Sequence, residues 1–305
     1  MKRQFIFTLC LIFLLICIKT QKVESKQADF PVLKGPYLGQ KTPGDLPELF
    51  MPGIISNCDL HSSVYFSPDG NEVYFTKLLN ESLTWNIMFM KQENGQWMPL
   101  RFLCKGLTPF LSPDGKTLFF STQDFNLWKT ERSTTGWLEP INLGLVINSS
   151  KRQDAPSVTD DGTLYYYSHY RDTKGIFCST FADGQYSEPQ PLGSGINSNH
   201  NEGIPFIAPD ESYIIFSSFR PGSHGLGDLY ISFQRDDSTW TEPRNLGSKI
   251  NSEAKDRFPY VSLDGKYFFF NSSRVSSLNT KRIPDGPGNV YWMNASFIED
   301  FKPKK

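Results

Sequence analysis

The chain has 305 residues, a formal net charge of −1 and 14% aromatic residues. Because acidic and basic residues are balanced and mixed along the chain, we expect no basic face that could bind phosphate backbones, which excludes nucleic acid as a partner. The length and the apolar fraction of 38% are sufficient for one domain with a substantial core.

The chain begins with the pattern of a secretory signal peptide. Met1-Lys-Arg3 precedes an apolar run from Phe5 to Ile18, which is short for a membrane span. We predict cleavage after Ser25, with Thr20 as a competing site. The signal peptide would then be residues 1–25, and the mature chain would be exported to the periplasm or cell surface without a transmembrane span.

One hairpin sequence occurs five times in the rest of the chain. Its first copy, Phe66 to Phe75, contains Ser67-Pro-Asp-Gly70, in which Pro presets φ, Asp accepts from a following amide and Gly adopts the left-handed conformation. Successive turn aspartates are 45, 47, 49 and 54 residues apart, which is the length of a propeller blade. The residues to which we assign this structural turn role are Asp69, Gly70, Asp114, Gly115, Asp161, Gly162, Asp210, Asp264 and Gly265.

Each hairpin is followed by further short strands. A third strand opens at Asn86, Asn126, Gly175, Asp228 and Asn289, and most copies add a fourth near an aromatic residue followed by Pro. We therefore predict an all-β fold, a β-propeller of four-stranded antiparallel blades, with repeats near residues 61–104, 105–148, 152–197, 201–251 and 255–300.

These motifs resemble a known repeat. The Ser-Pro-Asp-Gly hairpin of residues 67–70, the third strand that begins at Asp228, and the Trp-x-Glu-Pro, Asn-Leu-Gly and Ile-Asn pieces of residues 240–251 resemble the WD-like β-propeller repeat of the TolB-like exported bacterial proteins, over residues 36–300. The resemblance implies a non-catalytic binding or scaffolding propeller of the cell envelope. Its partner would be an envelope protein or a glycan, and we expect no cofactor.

The last repeat lacks a fourth strand after Met293. Pro36-Tyr-Leu-Gly39 resembles the fourth-strand sequence Pro243–Gly247, so we predict that the N-terminal closing segment, residues 26–60, completes the fifth blade. Five blades are favoured. The alternative is a sixth, hybrid blade built from residues 30–56 and the C-terminal tail.

Signals for catalysis and metal binding are weak. There is no Gly-x-Ser-x-Gly nucleophile motif, and the spacing of the histidines His61, His169, His200 and His224 does not suggest metal ligands. We therefore predict no catalytic residues and no metal site. Cys58 and Cys104 occupy similar connectors, so a bridge is conceivable, but buried thiols are the preferred interpretation.

Charged residues accumulate where the blades are connected. Asp154, Glu202 and Asp256 precede the Pro of a first strand by two or three residues. Arg171, Arg220 and Arg274 follow the second strands of the same blades. In the first blade, His61 stands at the place of the acids and Lys77 at the place of the arginines. In an up-and-down blade these positions lie on one face, which also carries the connectors between blades and is called the connector face below.

Two interpretations of these charges remain open. Each acid could pair with the Arg of its own blade and lock connector to sheet, as half-exposed pairs of modest strength. Alternatively the charges could bind an anionic or polyhydroxylated ligand through bidentate Arg contacts. As an alternative to a binding protein, the three carboxylates could serve a glycan-active, glycosidase-like enzyme in the central pocket.

Overall fold

The computed structural model describes residues 30–57, 60, 62–79, 84–149, 151–171, 173–277 and 288–304. The compact unit runs from Val32 to Lys305. The predicted signal peptide, His61 and Cys58 lie outside the described residues.

The described strands form five antiparallel blades, which confirms the predicted five-bladed propeller. Blade 1 contains β2 (Tyr65–Phe66), β3 (Glu72–Leu79), β4 (Thr84–Glu93), β5 (Gln96–Trp97) and β6 (Arg101–Lys105). Blade 2 contains β7 (Leu107–Leu111), β8 (Thr117–Ser121), β9 (Leu127–Ser133), β10 (Gly136–Trp137) and β11 (Ile141–Asn142). Blade 3 contains β12 (Gln153–Val158), β13 (Leu164–Tyr170), β14 (Thr173–Ser179) and β17 (Gln190–Pro191), with a small hairpin of β15 (Phe181–Ala182) and β16 (Gln185–Tyr186).

Blade 4 contains β18 (Gly203–Ile207), β19 (Tyr213–Ser218), β20 (Asp228–Phe233) and β21 (Arg244–Asn245). Blade 5 contains β22 (Asp256–Val261), β23 (Tyr267–Ser272) and β24 (Asn289–Asn294), and its outermost strand is β1 (Glu48–Leu49) from the N-terminal segment. A short helix α1 (Phe297–Phe301) follows.

The hairpin turns are built by their own side chains. Ser67 Oγ donates to Asp69 Oδ1 at 2.6 Å, Asp69 accepts from the Asn71 N–H at 3.0 Å, and Gly70 has φ of 68°. The same contacts recur at Asp114, Asp161 and Asp264. At this tight turn the left-handed φ suits Gly because it has no Cβ to clash.

In blades 2, 3 and 4 the Asn of the Ile-Asn motif ties the connector to the blade. Asn197 Oδ1 accepts from the Ile176 N–H at 2.8 Å, and its Nδ2 donates to the Ile176 carbonyl at 2.8 Å. Asn148 binds the backbone N–H and carbonyl of Leu127 in the same way, and Asn251 binds those of Leu229. These bonds satisfy backbone groups that a fourth strand of only two residues leaves open.

The ring closes through the N-terminal segment, as predicted, although a different stretch supplies the strand. Glu48 pairs with Trp292 and Leu49 with Tyr291. Pro36–Gly39, expected to resemble a fourth strand, instead forms a 3₁₀ turn. Its Tyr37 ring lies 4.9–6.2 Å from four aromatic rings of blades 1 and 5, so this turn fastens the first blade to the last.

Aromatic rings fill the centre of the propeller. The innermost strands β2, β7, β12, β18 and β22 lie side by side around the axis. Tyr65, Phe110, Phe206 and Tyr260 come from equivalent positions of four of them, with neighbouring ring centroids 5.0–6.4 Å apart. All four are at most 6% exposed. We call these four rings the aromatic plug, because they leave no open channel between the two faces at this level.

Candidate functional site

Glu202, directly before β18, is held by four donors. Arg220 Nη2 lies 3.3 Å from its Oε1, Ser198 donates through its hydroxyl and its backbone N–H at 2.5 and 2.8 Å, and the Ser218 hydroxyl donates at 2.9 Å. The Glu202 side chain is 0% exposed. Burial alone would raise the pKa of Glu202, but the hydrogen bonds from Ser198 and Ser218 and the charge of Arg220 hold that pKa below its ordinary value.

Blade 5 repeats this arrangement. Arg274 Nη2 lies 2.7 Å from Asp256 Oδ1, and Ser252 donates to Oδ2 through its N–H and hydroxyl at 2.6 and 2.9 Å. Arg274 also donates to the Ser272 hydroxyl at 2.8 Å and to the Ile250 carbonyl at 2.6 Å. We call this set of an acid, an Arg and two Ser the clamp, because it joins the connector between blades to the second strand.

The clamp carboxylates are more buried than the sequence analysis assumed. We expected half-exposed pairs, yet the Glu202 and Asp256 side chains are 0% exposed and their Arg partners 13% and 19%. The guanidinium of Arg274 also lies 4.8 Å from the centre of the Tyr291 ring. Such a pair is costly to break, since removing one partner leaves a buried charge.

In blade 3 the pairing differs from the one expected. Asp154 pairs with Arg152, at 3.1 Å, instead of with Arg171. The reason is a shift of one residue: Gln153 lies opposite Ser168 as Asp256 lies opposite Ser272, whereas Asp154 lies opposite Tyr167. Side chains alternate across a strand, so a one-residue shift sends Asp154 to the other face of the blade.

Arg171 shows the same shift. Arg220 and Arg274 stand two residues after the Ser of the second strand, a position that Tyr170 occupies in blade 3. Arg171 comes one residue later, is exposed, and lies 4.9 Å from the centre of the Tyr170 ring. Tyr170 donates to Glu188 at 2.8 Å, so this end of blade 3 has its own contacts.

Asp154 instead joins blade 3 to blade 2 at the propeller axis. Its Oδ1 accepts from the Ser121 hydroxyl at 2.7 Å and from the Thr108 hydroxyl at 3.1 Å. It also accepts from the Ala155 N–H at 2.8 Å. Asp154 is 8% exposed, so its carboxylate is largely occupied by protein donors.

Four of the five innermost strands, all except β2, share a strained backbone at this level. Thr108, Ala155, Ile204 and Phe258 each precede a Pro and have φ of 47°, 51°, 54° and 55°. A register shift occurs at the same place in each of these strands. The residue before Pro is barred from the right-handed helical region, and a positive φ is uncommon for residues other than Gly. The register shifts directly after Leu107, Asp154, Gly203 and Arg257, so each innermost strand that has this bulge bends at the same level.

Above the aromatic plug, the connector-face ends of blades 3 to 5 line an open cavity of about 360 Å³. We call it the mouth cavity. Asp154 and Glu202 line it, together with three cationic side chains that the sequence analysis missed: Arg152, Lys255 and Arg257. Arg257 lies two residues before its Pro, as Asp154 does. Because side chains alternate along a strand, the equal distance from Pro could have predicted that Arg257 and Asp154 reach the same side.

The described residues contain no group of three His, Cys, Asp or Glu side chains that could hold a metal ion. Cys104 and Cys178 are free thiols, and burial raises their pKa values to about 12 and about 11. They are therefore poor nucleophiles at neutral pH. No helix in the described part of the chain is long and apolar enough to cross a membrane.

Comparison with known proteins bears on the fold. No protein-family model matches the chain, and no curated protein matches it. TolB from Acinetobacter baumannii is similar in structure, with a TM-score of 0.50 and 18% identity over 87% of this chain and 65% of the TolB chain. The present chain therefore spans about two thirds of the TolB length.

A glycosidase domain is similar to the same extent. The catalytic domain of the Coprinopsis cinerea GH62 α-L-arabinofuranosidase has a TM-score of 0.51 and 10% identity over 86% of this chain and 97% of that domain. At such identities the likeness concerns the propeller fold, which carries many unrelated functions. What this chain does must therefore be inferred from its own site.

Proposed function

We propose that the protein is an exported, non-catalytic binding propeller of the bacterial cell envelope, of the WD-like, TolB-like repeat type, and that it binds its partner at the mouth cavity. The observation that carries the proposal is this cavity of about 360 Å³, formed by rigid strand ends and lined by charged and aromatic side chains. Pockets of this size, with a few convergent polar groups, are where proteins bind small ligands or single side chains of a partner.

The clamps support this proposal as positioning elements. Arg220 and Arg274 each donate to a connector carbonyl, that of Ile196 or Ile250, and pair with the acid that directly precedes Gly203 or Arg257. Of the charged residues named from the sequence, Glu202, Asp256, Arg220 and Arg274 thus form the clamps, Asp154 lines the cavity, and Arg171 belongs to neither group. A binding role in the proposal belongs to Asp154 and the three cations, while Glu202 and Asp256 fix the walls.

Capture from the native envelope tests the proposal. Immobilised residues 26–305 would be compared with a Lys255→Glu/Arg257→Glu variant and with an Arg244→Glu control, whose guanidinium lies 4.6 Å from the Phe301 ring, outside the cavity lining. We expect the wild type and the control to retain a component that the cavity variant loses. Equal retention by all three proteins would show that binding occurs elsewhere.

The enzyme alternative predicts turnover. A general acid needs a raised pKa, whereas the pKa of Glu202 is held low. A panel of polysaccharides incubated with purified protein separates the two functions, because turnover that disappears in Glu202→Gln and Asp256→Asn variants would favour the glycosidase. Cell fractionation, with N-terminal sequencing of the mature protein, tests export and the cut after Ser25.

A further inference from the structure

The edge of β5 in blade 1 is covered by the N-terminal segment. Lys34 forms an antiparallel bridge with Gln96 of this strand. The backbone N–H of Trp97 donates to the Leu33 carbonyl at 2.9 Å, and its indole Nε1 donates to the Gly35 carbonyl at 2.8 Å. Two carbonyl groups of one stretch, two residues apart, therefore satisfy both N–H groups of this Trp.

Trp240 is the equivalent of Trp97 in blade 4. Trp97 lies opposite Gln92, and Trp240 lies opposite Gln234. In both hairpins the residue after the Trp donates its backbone N–H, at 2.8 Å, to the carbonyl of the residue before the Gln. In this register the backbone N–H of the Trp itself points away from the partner strand. Both tryptophans therefore direct a backbone donor outward from the hairpin.

Trp240 differs from its equivalents in the bonds that it makes. Within the described part of the chain, neither its backbone N–H nor its indole N–H has a hydrogen-bond acceptor, while its carbonyl accepts from Arg235. In blade 2 the indole of Trp137 donates to the Tyr74 hydroxyl at 3.2 Å, and blade 3 has Tyr186 at this position. Blade 4 thus presents the pair of donors that blade 1 has already used.

A cleft adjoins these donors, and we call it the Trp240 cleft. Its volume is about 390 Å³, and it is lined by Ser238–Trp240 and by the stretch Pro191–Ile196 of blade 3. The Trp240 ring is partly buried against the core that blades 3 and 4 share. The donors are therefore held in place before a ligand arrives, which lowers the entropic cost of binding. Unpaired donors at a strand edge are what an added strand binds.

The turn beside the Trp240 cleft carries negative charge. Asp237 Oδ1 accepts from the N–H and the hydroxyl of Thr239, at 3.0 and 2.5 Å. These hydrogen bonds lower the pKa of Asp237, so its carboxylate is ionised at neutral pH. Thr239 occupies the position of Gln96, opposite which Lys34 lies in blade 1. A basic residue at the position of Lys34 would therefore lie near Asp237 and be attracted to it.

We infer that the Trp240 cleft binds an extended segment of a partner protein that contains a basic residue followed by Gly, and that this segment adds to blade 4 as residues 33–35 add to blade 1. One carbonyl of the segment accepts from the Trp240 N–H, and the carbonyl two residues later accepts from the indole. The basic residue between them pairs with Asp237. The chain's own segment is occupied in blade 1, so the segment bound here belongs to another protein.

This site is separate from the one in the proposed function, because the Trp240 cleft and the mouth cavity share no lining residue.

Nuclear magnetic resonance of residues 26–305, labelled with nitrogen-15, tests the inference. The probe is a blocked peptide with the sequence of residues 32–36, Val-Leu-Lys-Gly-Pro. We expect a saturable shift of the Trp240 indole resonance, which is assigned by its loss in Trp240→Phe. Gly35 has φ of 87°, so L-Ala in place of the peptide Gly should weaken binding about tenfold, whereas D-Ala should keep it within about twofold.

Variants then assign the groups. Trp240→Phe keeps a ring but removes the indole N–H, so it should weaken the peptide about fivefold, as expected for one neutral hydrogen bond. Asp237→Asn keeps an acceptor for Thr239 but removes the charge. It should abolish the preference of wild type for Lys over norleucine in the peptide, which we expect to be about threefold. Lys255→Glu/Arg257→Glu, in the mouth cavity, is the control and should leave all these affinities unchanged.

The comparison of the L-Ala and D-Ala peptides uses wild-type protein, so it decides the question even if Trp240→Phe melts early by circular dichroism. Three results would overturn the inference: no shift of the Trp240 resonance at millimolar peptide, equal binding of the L-Ala and D-Ala peptides, or a shift at Trp97 instead, which would mean that the peptide displaces the chain's own segment. A dimer in sedimentation experiments that Trp240→Phe dissociates would also contradict it, since the cleft would then hold a second copy of the chain.

Discussion

Blade 3 and blade 5 contain nearly the same polar residues on the connector face, yet they use them differently. In blade 5, Asp256 and Arg274 form a buried clamp with Ser252 and Ser272. In blade 3 the two serines are retained as Ser149 and Ser168, but the acid and the Arg each stand one position later. Because of this shift of one residue, the acid and the Arg of blade 3 do not form a structural pair. The acid lies at the propeller axis and the Arg lies at the surface.

This comparison shows that charge type and approximate position do not assign a role in a β-blade. Side chains point to alternate faces along a strand. A charge that is displaced by one residue, relative to the residue opposite on the next strand, therefore reaches the other face of the blade. Substitutions in the closing strand and in the clamps sharpen the comparison of blades 3 and 5, beginning with the largest expected effect.

Blade 5 also differs from the other blades in borrowing its outermost strand. Phe50 follows that strand, is 0% exposed and lies 5.0–6.0 Å from the rings of Phe66, Phe269 and Trp292. We expect Phe50→Ala to lower the free energy of unfolding by about 3–5 kcal/mol, measured by urea denaturation. Leu46→Ala, in the same segment but 61% exposed, is the control and should stay within about 0.5 kcal/mol of wild type.

The two arginines should differ in the same assay. Arg274→Met leaves the carboxylate of Asp256 buried without its guanidinium, and we expect a loss of about 3 kcal/mol of unfolding free energy. Arg171→Met removes an exposed side chain and should cost about 0.5 kcal/mol or less. Equal losses would mean that register does not separate the two roles.

A clamp can be transplanted into blade 3. Gln153→Glu places a buried charge beside Ser168 and, alone, should cost about 2–3 kcal/mol. Adding Tyr170→Arg supplies the missing guanidinium, so the double-mutant cycle should give a favourable coupling of about 1–3 kcal/mol. A coupling near zero would indicate that blade 3 cannot accommodate the clamp even in the correct register.

Acid should weaken the clamp of blade 4 gradually. The pKa of Glu202 is lowered in the folded protein, so its stabilising contribution is complete above the unfolded value of about 4.3 and is lost as the pH falls through the folded pKa. We therefore expect the stability difference between wild type and Glu202→Gln to be constant from pH 7 to about 5 and to shrink below about pH 4. A difference that grows on acidification would contradict this assignment.

The fold could be predicted because its signals are local. Asp69 and its equivalents make their turns with neighbouring residues, and these turns recur at blade length. The closing strand carries no such signal, because Glu48–Leu49 pairs with residues more than 240 positions away and contains only two residues. Tyr37 and Leu38, which resembled that strand, have φ of 50° and 58°, a conformation that packing against distant rings stabilises.

The site was predicted in part. The clamps of blades 4 and 5 follow from acids and arginines at fixed distances from strand ends. Arg152, Lys255 and Arg257 could not be placed in one cavity from the sequence, because three blades and a bulge before each Pro bring them together. The mouth cavity exists only once the blades have assembled into the closed propeller.

The aromatic plug has a practical consequence for handling the molecule. Because it closes the axis, a ligand that enters the mouth cavity must leave by the same face, and the hairpin face is chemically separate. The turns at Asn94-Gly95 and Asp183-Gly184 connect strands on that opposite face. A fluorophore or a surface tether attached there would leave the mouth cavity accessible and its charges unaltered, so the protein could be oriented on a sensor chip with its binding face toward the solution.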